Sequence, residues 1–201
     1  SMDGLIEKPQ TTVVDAIGEL PQLRSGLSRR RLPNGGYQQL DDEGWLNVLE
    51  RQSPADDSLP EWLKKVDKNV RKEVTNVIKC LRSFQARPEF KERGGRFIPW
   101  LAGVPDQTTE LGSWLCDNRL AGWCQHHTRE HLESDLPRYL FAACFAKVNE
   151  TSPELQEFIE ELAPEHGNRN SGKFKDRFRV QVSDSPSSTI TAHISHHKMP
   201  F

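Results

Sequence analysis

With 201 residues the chain is long enough for one core-bearing domain with a small appendage. Its 27 Lys and Arg against 29 Asp and Glu give a formal charge of -2, which excludes a uniformly basic nucleic-acid coat and leaves DNA affinity to local charge asymmetry. Four cysteines at irregular spacings exclude a disulfide framework and point to a reducing compartment; no signal-peptide pattern and no apolar run near the roughly 18 residues of a membrane span is visible, so a soluble, cytoplasmic protein is expected.

Thr12 predicts the cap of a short helix with Val13, Ile17 and Leu20 on one face, stopped by Pro21. Arg24 to Gly36 is polar, glycine-containing and basic, and reads as a loop whose Arg29, Arg30 and Arg31 either grip phosphates or face water. Trp45, Leu46 and Leu49 predict a brief helix before the Pro/Asp/Ser break at Ser53 to Ser58. From Asp67 to Phe84, Val70, Val74, Val77, Ile78, Leu81 and Phe84 recur at helical spacing and predict a core helix. Gly94 and Gly95, between Arg93 and Arg96, either let backbone approach a phosphate or form a turn into a short strand at Arg96 to Ile98. Ser134 precedes a helix with Leu136, Leu140, Ala143, Cys144 and Val148 on one stripe. Ser152-Pro153-Glu154 starts another that buries Leu155, Phe158, Ile159 and Leu162.

Charge then reverses. Glu154, Glu157, Glu160 and Glu161 are followed by Arg169, Lys173, Lys175, Arg177 and Arg179 with Asp176 alone opposing. From Phe178 to Val182 apolar and polar residues alternate, and after a turn at Asp184, Ser185 and Pro186 the alternation resumes with Thr189, Thr191 and His193 against Ile190, Ala192 and Ile194. The expected fold class is α+β, mainly helical over the first two-thirds, with a small antiparallel β-ribbon near the C-terminus. One constellation offers a different chemistry: Cys116, Cys124, His127 and His131 are zinc-type ligands, but no C-x-x-C pair exists, and histidines hydrogen-bonding near the helix start at Ser134 are the favoured reading, with no metal expected.

Three stretches resemble bacterial DNA (cytosine-5) methyltransferases, in that family's order. T-T-V-V-D-A-I-G-E-L-P from Thr11 is similar to the segment after the family's Q-x-R-x-R motif. H-T-R-E-H-L-E-S-D-L-P-R-Y-L-F-A from His127 resembles the opening of its target-recognition region. R-F-R-V-Q and S-P-S-S-T-I-T-A-H-I-S, between Arg177 and Ser195, resemble the close of that region. The resemblance implies residues 1–24 as the segment after a catalytic lobe, 25–116 as a helical insertion, and 117–201 as the target-recognition core with the ribbon, in one compact unit.

The family's catalytic parts have no match here. None of Cys80, Cys116, Cys124 and Cys144 follows a proline, and neither F-x-G-x-G nor Glu-Asn-Val occurs, so the nucleophile, the S-adenosylmethionine loop and the base-holding glutamate are missing. The ending after Ser195 also departs from the family, as a truncated or frameshifted gene or a cloning boundary would. The resemblance therefore implies a non-catalytic, cofactor-free DNA-binding fragment of a restriction-modification type of enzyme, from a bacterial cytoplasm, with at most weak affinity for double-stranded DNA. Its contacts would be Arg129, Arg177, Arg179, Thr189, Thr191 and His193, with Lys173 and Lys175 on phosphate, from the major-groove side. The alternatives are an inert remnant, or a module that docks on a separate methyltransferase catalytic lobe.

Overall fold

The computed structural model describes residues 10–52, 60–85, 87, 93–100, 107–163 and 178–188. Helix α1 (Val13–Ile17) starts where Thr12 and Asp15 form a reciprocal capping box, the Thr12 N–H donating to Asp15 Oδ2 at 2.9 Å and the Asp15 N–H to Thr12 Oγ1 at 3.3 Å. The chain then makes β1 (Gly26–Leu27), β2 (Arg30–Arg31) and β3 (Tyr37–Gln38) before α2 (Asp42–Glu50), which Asp41 caps through the Gly44 N–H at 2.8 Å. Helices α3 (Glu61–Lys64) and α4 (Lys68–Gln85) follow. Next come β4 (Gly94–Pro99), α5 (Glu110–Leu115), β5 (Gly122–His127), β6 (Glu130–His131) and α6 (Asp135–Asn149), then a 3-10 turn at Leu155–Glu157.

The core lies where α4 and α6 pack on each other and α2 lies across both. Leu46 and Leu49 of α2, Leu63 of α3, Val70, Val74, Ile78 and Leu81 of α4, and Leu140, Phe141 and Cys144 of α6 are buried in one cluster, which Leu27 of β1 also enters. The heptad-like spacing on α4 puts its apolar side chains on one stripe, so burial rather than helix propensity secures it. On α6 the buried set runs through Phe141, Ala142 and Ala146, while Ala143 of the predicted stripe faces water.

Strand pairing departs from the sequence expectation. The described strands fall between Gly26 and His131 and form three two-stranded pairs: β1 with β6 in parallel, β2 with β3 antiparallel, and β4 with β5 antiparallel. The fold is thus a mixture of helices and short strands along the chain, and the ordering with a ribbon near the C-terminus is incorrect. Phe178 to Val182 does alternate in burial but is not a strand: Phe178 has φ 58, and the Val180 N–H donates to Ser152 Oγ at 3.0 Å instead of to a neighbouring strand. The reason is that alternation specifies a dry face without specifying what dries it. Here Phe178 packs on Tyr139 of α6 and on Phe158, with ring centroids 5.3 and 6.2 Å apart. The predicted second strand, at 189–194, lies outside the described residues.

Two more expectations change. Arg24 to Gly36, read as loop, supplies β1 and β2 because Leu27 is drawn into the core. Leu155, Phe158 and Leu162 are buried as predicted, but by a 3-10 turn and successive turns, since Phe158 takes an extended backbone (φ -72, ψ 128) that ends the helical run. Leu63 is 0% exposed and Trp114 is 80% exposed, which sets a direct contrast. Leu63→Ala is expected to lower the unfolding free energy by about 2–5 kcal/mol, and Trp114→Ala to change it by less than about 0.5 kcal/mol, both read by urea denaturation.

Candidate nucleic-acid interface

The H-T-R-E-H stretch is held from two sides. Thr128 donates its hydroxyl to the Arg24 carbonyl at 2.9 Å and its N–H to the Arg93 carbonyl at 3.0 Å, so one residue joins the chain before β1 to the chain before β4. Beside it, the Gly26 N–H donates to the Arg129 carbonyl at 3.2 Å and the Ser28 N–H to the His131 carbonyl at 2.8 Å, which extends the parallel β1–β6 pairing. Main-chain groups here are paired, and the Arg129 side chain stands exposed. The Arg93 guanidinium lies directly over Gly26, so that a Cβ there would make the end of that side chain swing aside. Arg93 in turn lies 3.8 Å from Glu130.

Other arginines are struts. Arg24 is 8% exposed, forms an ion pair with Asp42, donates to the Ser25 carbonyl at 2.8 Å and lies 5.1 Å from the Trp45 ring centroid. Burial lowers its pKa and Asp42 opposes that, so it stays charged and spends its donors inside. Arg30 donates its Nε to Glu133 Oε1 at 3.0 Å, fastening β2 to the start of α6. Arg138 donates to Asp135 at 2.7 Å and to the Leu162 carbonyl at 2.8 Å while covering the Phe178 ring at 5.4 Å. Sequence reading did not find these roles, because a buried or paired arginine has the same letter as a solvated one. His131 stacks on Tyr139 with centroids 4.7 Å apart; burial holds the imidazole below its ordinary 6.5, and the Asp135 charge partly counters it.

Of the predicted DNA contacts, Arg129 and Arg179 are described and both are exposed. Arg179 sits between half-buried Phe178 and Val180, so the packing of its neighbours turns it outward. Lys173, Lys175, Arg177, Thr189, Thr191 and His193 lie outside the described residues. The residues 178–188 are joined to the N-terminal helix by two hydrogen bonds, Val13 N–H to the Ser185 carbonyl and Val14 N–H to the Ser183 carbonyl, each 2.9 Å. His126 Nε2 donates to the Pro21 carbonyl at 2.8 Å. The N-terminal segment is thus bonded at Val13 and Val14 to the 183–185 stretch and at Pro21 to His126.

The zinc-type residues do not assemble: Cys124 and His127 lie exposed on β5, Cys116 ends α5, and among the described residues no three His, Cys, Asp or Glu side chains could share an ion. Burial, with Glu73 adding to it, pushes the Cys144 thiol up to about 12, which removes it as a thiolate nucleophile at neutral pH. No helix of the described residues is long and apolar enough to cross a membrane. No family model, no curated protein and no solved structure matches the chain.

The stacked His131 has a measurable consequence. Its pKa is depressed on folding, so the unfolded chain takes up the proton first, and the stability that the neutral ring supplies is present above 6.5 and lost as pH falls below it. Urea midpoints measured from about pH 7.5 down to about pH 5.5 are expected to drop more for the wild type than for His131→Phe, which keeps a ring against Tyr139 but does not titrate.

Proposed function

We propose that the chain is a duplex-DNA recognition element of the DNA (cytosine-5) methyltransferase type, acting in a bacterial cytoplasm and without catalysis of its own. One observation carries this reading. The three stretches that resemble the family are more than a hundred residues apart at the extremes, yet His126 beside the second reaches Pro21 of the first, Ser183 and Ser185 in the span of the third receive hydrogen bonds from Val14 and Val13 of the first, and Phe178 of the third packs edge-to-face with Tyr139 of the second. Segments that meet only in the folded chain and share one resemblance are consistent with a common role.

The chemistry expected of the unit is modest. A net charge of -2 provides no general attraction, so association depends on exposed cations such as Arg129 and Arg179, each able to displace counterions from phosphate or to bind the O6/N7 edge of guanine in the major groove. The chain has no Pro-Cys pair and no Glu-Asn-Val, so base flipping and methyl transfer would need a catalytic lobe built from other residues.

A second reading, docking on such a lobe, is favoured by α1 and α5. Val14 and Ile17 are 47% and 52% exposed, and a cleft lined by Leu20, Leu115 and Trp123 opens between the two helices. The two readings are compatible: docking would orient the DNA-facing arginines.

Fluorescence anisotropy with a labelled duplex tests the first reading. Binding is expected at low salt, weakening steeply as salt rises, and Arg129→Ala or Arg179→Ala is expected to weaken it about tenfold and to reduce the log–log salt slope by about one. Absence of binding at low salt, or a salt-independent signal, would sink the DNA reading. Recovery of methylation on mixing with a catalytic lobe would identify the docking role.

A further inference from the structure

The hairpin formed by β2 and β3 sorts the triple arginine into two classes. Arg30 is tied to Glu133 and cross-strand to Gln38, while Arg29 and Arg31 on either side of it are exposed, and among the described residues neither has an ion-pair partner. Arg31 is the direct cross-strand partner of Tyr37, so their side chains share a face. Tyr37 is 65% exposed, a large ring with no ring contact among the described residues. A cation paired across the strands with an uncovered ring matches the alternation of phosphate and base or sugar found along nucleic acid.

The hairpin is closed by hydrogen bonds at its tip and tied down at its base. Its tip closes through the Leu32 N–H to the Gly36 carbonyl at 2.8 Å and the Gly35 N–H to the Leu32 carbonyl at 3.0 Å, and Asn34 Oδ1 accepts from the Gly36 N–H at 3.0 Å. Gly35 has φ 83 with open space around it, so the tip is glycine for its backbone and presents no bulk. Its base is anchored by Arg30 to Glu133, and the strand preceding it pairs with β6, which follows Arg129 directly. A narrow two-stranded ribbon with a glycine tip has the cross-section that the major groove admits.

We propose that the β2–β3 hairpin is a second duplex-DNA contact, continuous with Arg129, in which Arg29 and Arg31 bind backbone phosphates and Tyr37 lies against a sugar or base edge. It rests on the duplex-binding reading above. The same labelled duplex tests it, with the full chain and with circular dichroism to verify that each variant folds; all three side chains are exposed, so their truncation leaves the core intact. The Arg29→Ala, Arg31→Ala double variant is expected to reduce the log–log salt slope by about two, Arg31→Lys to keep the slope, and Tyr37→Ala to weaken binding about fivefold with the slope unchanged. Full wild-type affinity and slope in the double variant, while Arg129→Ala still weakens binding, would overturn the hairpin contact and leave the duplex reading standing. A wild-type chain that does not bind duplex at all overturns both.

Discussion

The backbone of residues 122–131 has to be satisfied from two directions, and most of the non-helical structure follows from that demand. A buried or half-buried main chain cannot leave its N–H and C=O groups unpaired without losing a hydrogen bond's worth of stability at each. Residues 122–127 solve this with β4 on one side, from Gly94 opposite His127 to Pro99 opposite Gly122. At Thr128 the chain changes partner, its N–H still on Arg93 and its hydroxyl already on Arg24, and Glu130 and His131 continue against β1. At Gly94, with φ 75, the strands approach too closely for a side chain, since a Cβ would strike the His126 carbonyl.

That arrangement decides which charges remain for a partner. Arg24, Arg30, Arg93 and Arg138 lie against acidic groups or carbonyls within the fold, where they satisfy polar atoms and cover aromatic faces. Around Arg24, the most buried of them, desolvation offsets much of the attraction to Asp42, while the more exposed pairs of Arg30 and Arg93 are screened by water. Arg29, Arg31 and Arg179 are exposed and are not among these. A chain of net charge -2 thus pairs some of its arginines within the fold and leaves others, such as Arg31 and Arg179, exposed.

Legibility differed by element. Helix α4 was readable because Val70, Val74, Ile78 and Leu81 repeat with the helical period, and α1 because Thr12 is a capping residue just before Val13 and Ile17, with Pro21 beyond. The C-terminal ribbon was misread although its alternation is real: Phe178 and Val180 do turn inward, but onto α6 and Ser152, not onto a second strand. The stretch from Arg24 to Gly36 was misread in the opposite sense, because two-residue strands carry too few positions to show a period. Of the candidate site, Arg129 and Arg179 could be named from sequence, whereas the separate fates of Arg29, Arg30 and Arg31 could not, since only the position of Glu133 distinguishes them.

By itself, the sequence determined the long helices, the Thr12 cap, the lack of regular cysteine spacing and the overall charge, all of which depend on composition or on neighbours within a few residues. Tertiary structure alone decided which strands pair, where the resembling segments meet and which arginines reach solvent. The physical reason is range. Periodicity and capping are local interactions written in adjacent letters, while the partner of Val13 is Ser185 and that of Gly26 is the carbonyl of Arg129, and such contacts exist only once the core of α2, α4 and α6 has brought distant chain together.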